Sequence, residues 1–294
     1  MHKLNDFDNF DRNYLLTSLL QAGCDALRSR LELVPLSFGD VLYEAESKLA
    51  HVYFPTTSVV SLLSIMQNGA TDETAFVGSE GVVGVPLFLG AETSPHRVVV
   101  RRTGHAYRLS GHLLLGEFKR SAAMQTLLLR YTQALFTQIS QTIACNRHHS
   151  IHQQFCRWLL ASVDRLPSDE LCLTQESIAG MLGVRRETIT KETGELQAAG
   201  LIQNTRGRIV VIDRPGLEAR ACECYREMNR EFGRLLAGVT NFHRPAERTA
   251  ARYAPLPATA MQAPFTEVPA WTATASQSAE RRSGSPRRFS QEIS

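Results

Sequence analysis

The sequence predicts an α+β chain: a β-rich N-terminal part, one long helix, and a helical C-terminal part closed by a hairpin. Three observations carry this. Eight short β-type runs separated by turn residues fill residues 32–110. A helical apolar stripe then runs through 112–147. Beyond 170, two short helical units meet at a glycine and are followed by LIQ-NTRG-RIVVI, a hairpin pattern.

The elements follow in order. NYLLTSLLQAGCDALRSRL, residues 13–31, has apolar residues at helical spacing. ELVPL, DVLYEA, HVYFP, SVVSLLSI, ETAFVG, GVVGVPLFLG, HRVVVRR and GHAYRLS are the β-type runs, and their close spacing predicts a compact barrel or sandwich. In the long helix Met124, Leu128, Tyr131 and Leu135 alternate steps of four and three, with Leu127, Phe136, Ile139 and Ile143 broadening the stripe. Such a seam suits a second helix, which a symmetric dimer provides, so these four residues are the expected dimer interface. The bland alternative is that the helix covers the β-domain. HHSIHQQFCRWLLASVDRL, 148–166, reads as another amphipathic helix ended by Pro167 and Ser168. A helical run follows over 217–237, and the Ala-, Thr-, Ser-, Pro- and Arg-rich stretch from 243 reads as disordered.

Composition narrows the function. With 294 residues, 43% apolar and 21% charged, the chain has the makeup of a soluble globular protein. No apolar run reaches the roughly 18–20 residues of a membrane span, and the polar N-terminus is not a signal peptide, so a cytoplasmic protein without a membrane partner is expected. Six scattered cysteines without a CxxC pair suit reduced thiols. The net charge of +3 resides in the tail, where seven arginines face four glutamates. Residues 1–242 balance at 25 against 25, so a nucleic-acid partner must be argued from local placement.

LTQESIAGMLGVRRETITKE supplies that placement. Thr174 is a candidate N-cap, followed by Gln175. Ala179 is small where a second helix must cross, Gly183 four residues later suits a tight turn, and Ile189 would plug the crossing. This is the sequence form of a helix-turn-helix. It puts Arg185, Arg186, Glu187, Thr188 and Lys191 at the start or on the outward face of the second helix, where major-groove contacts are made. Arg can grip guanine through two hydrogen bonds, Glu can accept from cytosine, and Lys and Thr suit phosphates. Arg206 and Arg208 flank Gly207 at the hairpin tip, as a wing touching the backbone would have them. The competing reading is a solvated face on an ordinary helical pair.

LTQESIAGMLGVRRETIT…LQAAGLI resembles the helix-turn-helix signature of the Crp/Fnr superfamily of bacterial transcription regulators, including the Arg186–Glu187 pair followed by a cation at 191. The resemblance spans about 15–240 and implies a cyclic-nucleotide-binding-like β-roll (13–111), a dimerisation helix (112–147), a winged helix-turn-helix (148–216), a C-terminal helix (217–242) and a basic tail (243–294). It further implies a homodimer on a two-fold-related double-stranded DNA operator, with RNA polymerase as a further contact. Lys191 stands where the family usually has arginine, which removes the forked geometry. Val85 and Pro86, after Gly84, stand near the glutamate that cyclic-nucleotide binders use for the ribose, and His96-Arg97 replaces their Arg-Ser. Gly84, Val85, His96 and Arg97 are thus candidates for an altered effector pocket; cyclic AMP is not expected, and the effector is unknown.

No cofactor or metal is expected. Cys24 stands alone where some family members hold an iron–sulfur cluster through several cysteines. Cys222 and Cys224 lie on a helical run, where residues two apart point about 200° apart, and the histidines at 148, 149 and 152 read as solvated or phosphate-facing. No nucleophile elbow, P-loop or dinucleotide fingerprint appears, so no enzyme is expected. The alternative function is a ligand-binding signalling module whose winged helix makes protein contacts.

Overall fold

The computed structural model describes residues 10–69, 71–166, 169–205 and 207–236, which lie within one compact unit. The basic tail, Arg206, Pro167 and Ser168 lie outside the described residues.

The chain opens with α1 (Tyr14–Gln21). The Asn13 side chain caps it by accepting from Leu16 N at 2.8 Å and donates to the carbonyls of Pro55 (2.8 Å) and Gly81 (2.9 Å), tying the helix to the β-domain. The helix expected over 13–31 stops early: a short 3-10 helix, Asp25–Arg30, follows.

Seven antiparallel strands then form two sheets: β1 (Glu32–Leu36), β2 (Val41–Tyr43), β3 (His51–Pro55), β4 (Val59–Ile65), β5 (Thr71–Val77), β6 (Arg97–Arg102) and β7 (Gly104–Ser110). One sheet has the order β1-β7-β3 and the other β2-β6-β4-β5. Their apolar positions, including Val52 and Phe54 on β3, Val60 on β4, Val98 and Val100 on β6 and Leu109 on β7, share one buried core. The sixth β-type run, GVVGVPLFLG, is not a strand. It holds an isolated bridge from Val83 to Tyr53 and then a four-residue helix, α2 (Val85–Phe88). Gly84 turns the chain at φ 108°, and any Cβ there would meet Val52 at 2.8 Å. Pro86 then sits in the first helical turn, where its missing N–H costs nothing.

The single long helix expected over 112–147 is two helices, α3 (Gly111–Arg120) and α4 (Ala122–His148). Ser121 breaks them with extended backbone, and its hydroxyl accepts from Met124 N at 3.2 Å. α4 is 27 residues long, so it spans about 40 Å. Here the expected dimer seam needs correction. Met124, Leu128, Tyr131 and Leu135 are at most 6% exposed, because they belong to the core of the chain's own β-domain. The stripe is real, but the roll covers it. α4 also presents a second series, Leu129, Phe136 and Ile143, seven residues apart and 49, 63 and 66% exposed.

Beyond α4 lie α5 (Ile151–Asp164), with a Ser150–Gln153 capping box, α6 (Gln175–Leu182) and α7 (Arg186–Ala198). Strands β9 (Ile202–Thr205) and β10 (Arg208–Val211) make the expected hairpin, and β8 (Glu170–Cys172), not anticipated from sequence, completes a sheet of order β8-β10-β9. The run 217–237 is also two helices, α8 (Arg214–Arg220) and α9 (Glu223–Leu235), separated by extended backbone at Ala221 and Cys222. α9 packs back along α4, and Phe232 and Leu236 join the roll core. The C-terminal part is fastened to the roll by a buried ion pair, Arg165 Nε to Glu80 Oε1 at 2.7 Å, with the Arg165 guanidinium over Phe76. Trp158 Nε1 adds a bond to Glu73 Oε1 at 3.3 Å.

Candidate nucleic-acid interface

α6 and α7 meet as the glycine spacing requires. Gly183 ends α6 at φ 63° and ψ 31°, and Val184 N donates to Ala179 O at 3.0 Å across the turn. Ala179 and Ile189 are buried together in the second core, with Ile178, Met181 and Leu196. That contact fixes which face of α7 remains outside. Thr190 Oγ1 donates to Gln175 Oε1 at 2.7 Å, locking the two helices further.

Arg185, the N-cap of α7, and Arg186, Glu187 and Lys191 are all exposed, and Thr188 is half-buried beside them. Lys191 Nζ has a loose partner one turn on, Glu195 at 3.7 Å. Thr174 caps α6, its hydroxyl accepting from Ser177 N at 3.1 Å, so this hydroxyl serves the fold first. Arg208 is held by both oxygens of Glu170 on β8, and the same contact lowers the Glu170 pKa. A phosphate contact by Arg208 would require exchanging that partner. Arg206 lies outside the described residues.

In the roll, Gly84, Val85 and His96 line one enclosed space with Tyr43, Leu62 and Leu135, a cavity of about 30 Å³. That is room for one or two waters and far below the roughly 300 Å³ of a small-molecule site. His96 is half-buried with Nδ1 at 3.4 Å from Ser64 Oγ, and burial lowers its pKa. Arg97 does not join them: it pairs with Glu44 at 3.2 Å.

At the other end of α4 the structure assembles a group that sequence reasoning dismissed. Cys222 is the N-cap of α9, not an interior residue, so the 200° argument fails. Cys145, His149, Cys222 and Cys224 place their ligand-type atoms within 4.8 Å of one another. The contact with Cys145 pulls the Cys222 thiol well below its ordinary value, and burial pushes the Cys224 thiol up. The readable signals were Cys145-x-x-x-His149 and Cys222-x-Cys224; the mistaken helix through 222 hid them. Of the neighbouring histidines, His152 Nδ1 bonds Glu192 Oε2 on α7 at 2.7 Å, so it is not simply solvated.

A roll, a long helix and a winged helix-turn-helix follow one another in this order along the chain. Residues 153–220 match the Crp-like helix-turn-helix domain, and the chain shares its fold with solved structures of Crp/Fnr-type proteins. FixK2 from Bradyrhizobium japonicum is similar at 15% identity, with a TM-score of 0.58 over 65% of this chain and 98% of its own. A Crp/Fnr-family regulator from Eubacterium rectale is similar at 17% identity and a TM-score of 0.54, covering 66% of this chain and 91% of its own. A CRP-family regulator from Thermus thermophilus gives 15% identity and 0.55, covering 64% and 96%. No curated protein matches the sequence. Among the described residues no helix is long and apolar enough to cross a membrane.

Proposed function

We propose that this chain binds a two-fold-related DNA operator as a homodimer, reading base edges with α7. The observation that carries the reading is the division of labour on α7. Ile189 and Leu196 are buried, whereas Arg185, Arg186, Glu187 and Lys191 project together into solvent at the helix start. The dimer contact is the open face of α4, Leu129, Phe136 and Ile143, whose heptad spacing suits a parallel partner helix. No cofactor is needed for the reading itself, and RNA polymerase is the further partner that the resemblance supplies. The small roll cavity, with room for one or two waters, supports the reading that cyclic AMP is not the effector.

Operator fragments selected from genomic DNA supply the test. Arg186→Ala should cost about 1–3 kcal/mol on the preferred site and flatten discrimination at one base pair. Lys191→Ala should weaken all sequences about equally and lower the salt slope by roughly one charge. Equal, sequence-blind losses at both positions would reduce the reading to backbone binding. No salt-dependent DNA binding at all would leave a protein-contact module instead.

A further inference from the structure

We propose that Cys145, His149, Cys222 and Cys224 form a binding site for one zinc-class divalent cation, which staples α9 to the junction of α4 and α5. This site does not depend on the DNA-binding reading.

The geometry is that of a single ion. Cys145 Sγ lies 3.5 Å from Cys222 Sγ, and Cys224 Sγ lies 3.6 Å from His149 Nδ1. Zinc–sulfur bonds of about 2.3 Å put two tetrahedral ligands about 3.8 Å apart. All four atoms lie within 4.8 Å of one another, too close for several iron atoms to stand between them. The 3.5 Å sulfur separation is also well beyond the roughly 2.05 Å of a disulfide.

The surroundings point the same way. Cys145, Cys222 and Cys224 are at most 3% exposed and form a buried cluster of their own. His149 turns Nδ1 toward Cys224, while Nε2 stands 3.2 Å from Glu223 Oε1. A carboxylate on the far nitrogen is the arrangement that orients a metal-bound histidine. Three thiolates and a neutral imidazole around a divalent cation carry one net negative charge. Binding exchanges up to three S–H bonds for metal–sulfur bonds and releases those protons to solvent, with no change of oxidation state. The staple joins the end of α4 and its cap, His149, to the α8–α9 turn, 77 residues from Cys145 to Cys222. Its place is where the roll's long helix hands over to the helices carrying α7.

Elemental analysis of the full-length protein, purified without a metal-binding tag and dialysed against a weak chelator, should find about one zinc per chain. Cobalt(II) replacing it should give the intense thiolate charge-transfer and tetrahedral ligand-field bands of a sulfur-rich site. Cys222→Ser with Cys224→Ser should abolish both signals, and Cys172→Ser, at an exposed thiol outside the cluster, should keep them. Glu223→Ala alters an exposed side chain and should fold normally while weakening zinc roughly tenfold or more. A wild-type protein that takes up neither zinc nor cobalt in reducing buffer would overturn the site. So would a Cys145–Cys222 disulfide in the native protein, or zinc retained by the double serine variant.

Discussion

Glu80→Ala should be among the most damaging single changes in the molecule, because of what it leaves behind. Glu80 is 2% and Arg165 3% exposed, and their contact is 2.7 Å. The same carboxylate accepts from Gly78 N at 3.1 and 3.2 Å. Without it, Arg165 keeps bonds to Ala161 O (2.8 Å) and Gln138 Oε1 (3.3 Å) and the Phe76 face, yet its charge loses the carboxylate that balances it. Breaking one side of a buried pair costs about 3–5 kcal/mol. For a fold of this size each kcal/mol moves the melting temperature by roughly 2–4 °C, so a drop of about 6–20 °C is expected. Glu80→Leu with Arg165→Met removes both charges and should recover much of the loss. Glu170→Ala, which breaks a largely exposed pair with Arg208, should leave the melting temperature nearly unchanged. Calorimetry and urea titration of these variants measure this. A Glu80→Ala protein within about 1 kcal/mol of wild type, or a double variant no better than the single, would refute the argument.

The two faces of α4 should fail differently. Leu128→Ala empties a fully buried site and should cost about 2–5 kcal/mol of stability, whereas Phe136→Glu with Ile143→Glu should leave a folded chain that sediments as a monomer. A double glutamate variant that remains dimeric would move the interface elsewhere. Cyclic AMP should show no stoichiometric micromolar binding in calorimetry, since Val85 and Pro86 offer the ribose no carboxylate and the cavity is about 30 Å³. Burial raises the Glu73 pKa, against the bonds from Ser61 and Trp158 that lower it. The folded chain therefore holds this proton more tightly than the unfolded one, and the contribution is full below the ordinary carboxylate pKa and lost as pH rises through the raised value. Denaturation of wild type and Glu73→Gln across that range should show this slope only in wild type, and identical pH profiles would count against it.

Local rules wrote much of this fold legibly. The helix-turn-helix could be read because Ala179, Gly183 and Ile189 meet requirements internal to one short segment: a close crossing, a left-handed turn and a plug. Most β-runs could be read because short β-type runs are bounded by turn residues, while Pro86 and Gly84 gave only a weak sign that the sixth run bends into a helix. Periodicity on α4 identified an apolar stripe but not its cover. Whether the roll or a second chain meets Met124, Leu128, Tyr131 and Leu135 depends on packing between segments far apart in sequence, and the roll meets them. The same limit applies at Cys222. Its side-chain direction depends on the break between α8 and α9, and its neighbours Cys145 and His149 arrive from the end of α4. Residue types and spacings determined which chemistry the chain carries; only the tertiary structure decided which of those groups share a space, because long-range packing sets which faces are covered.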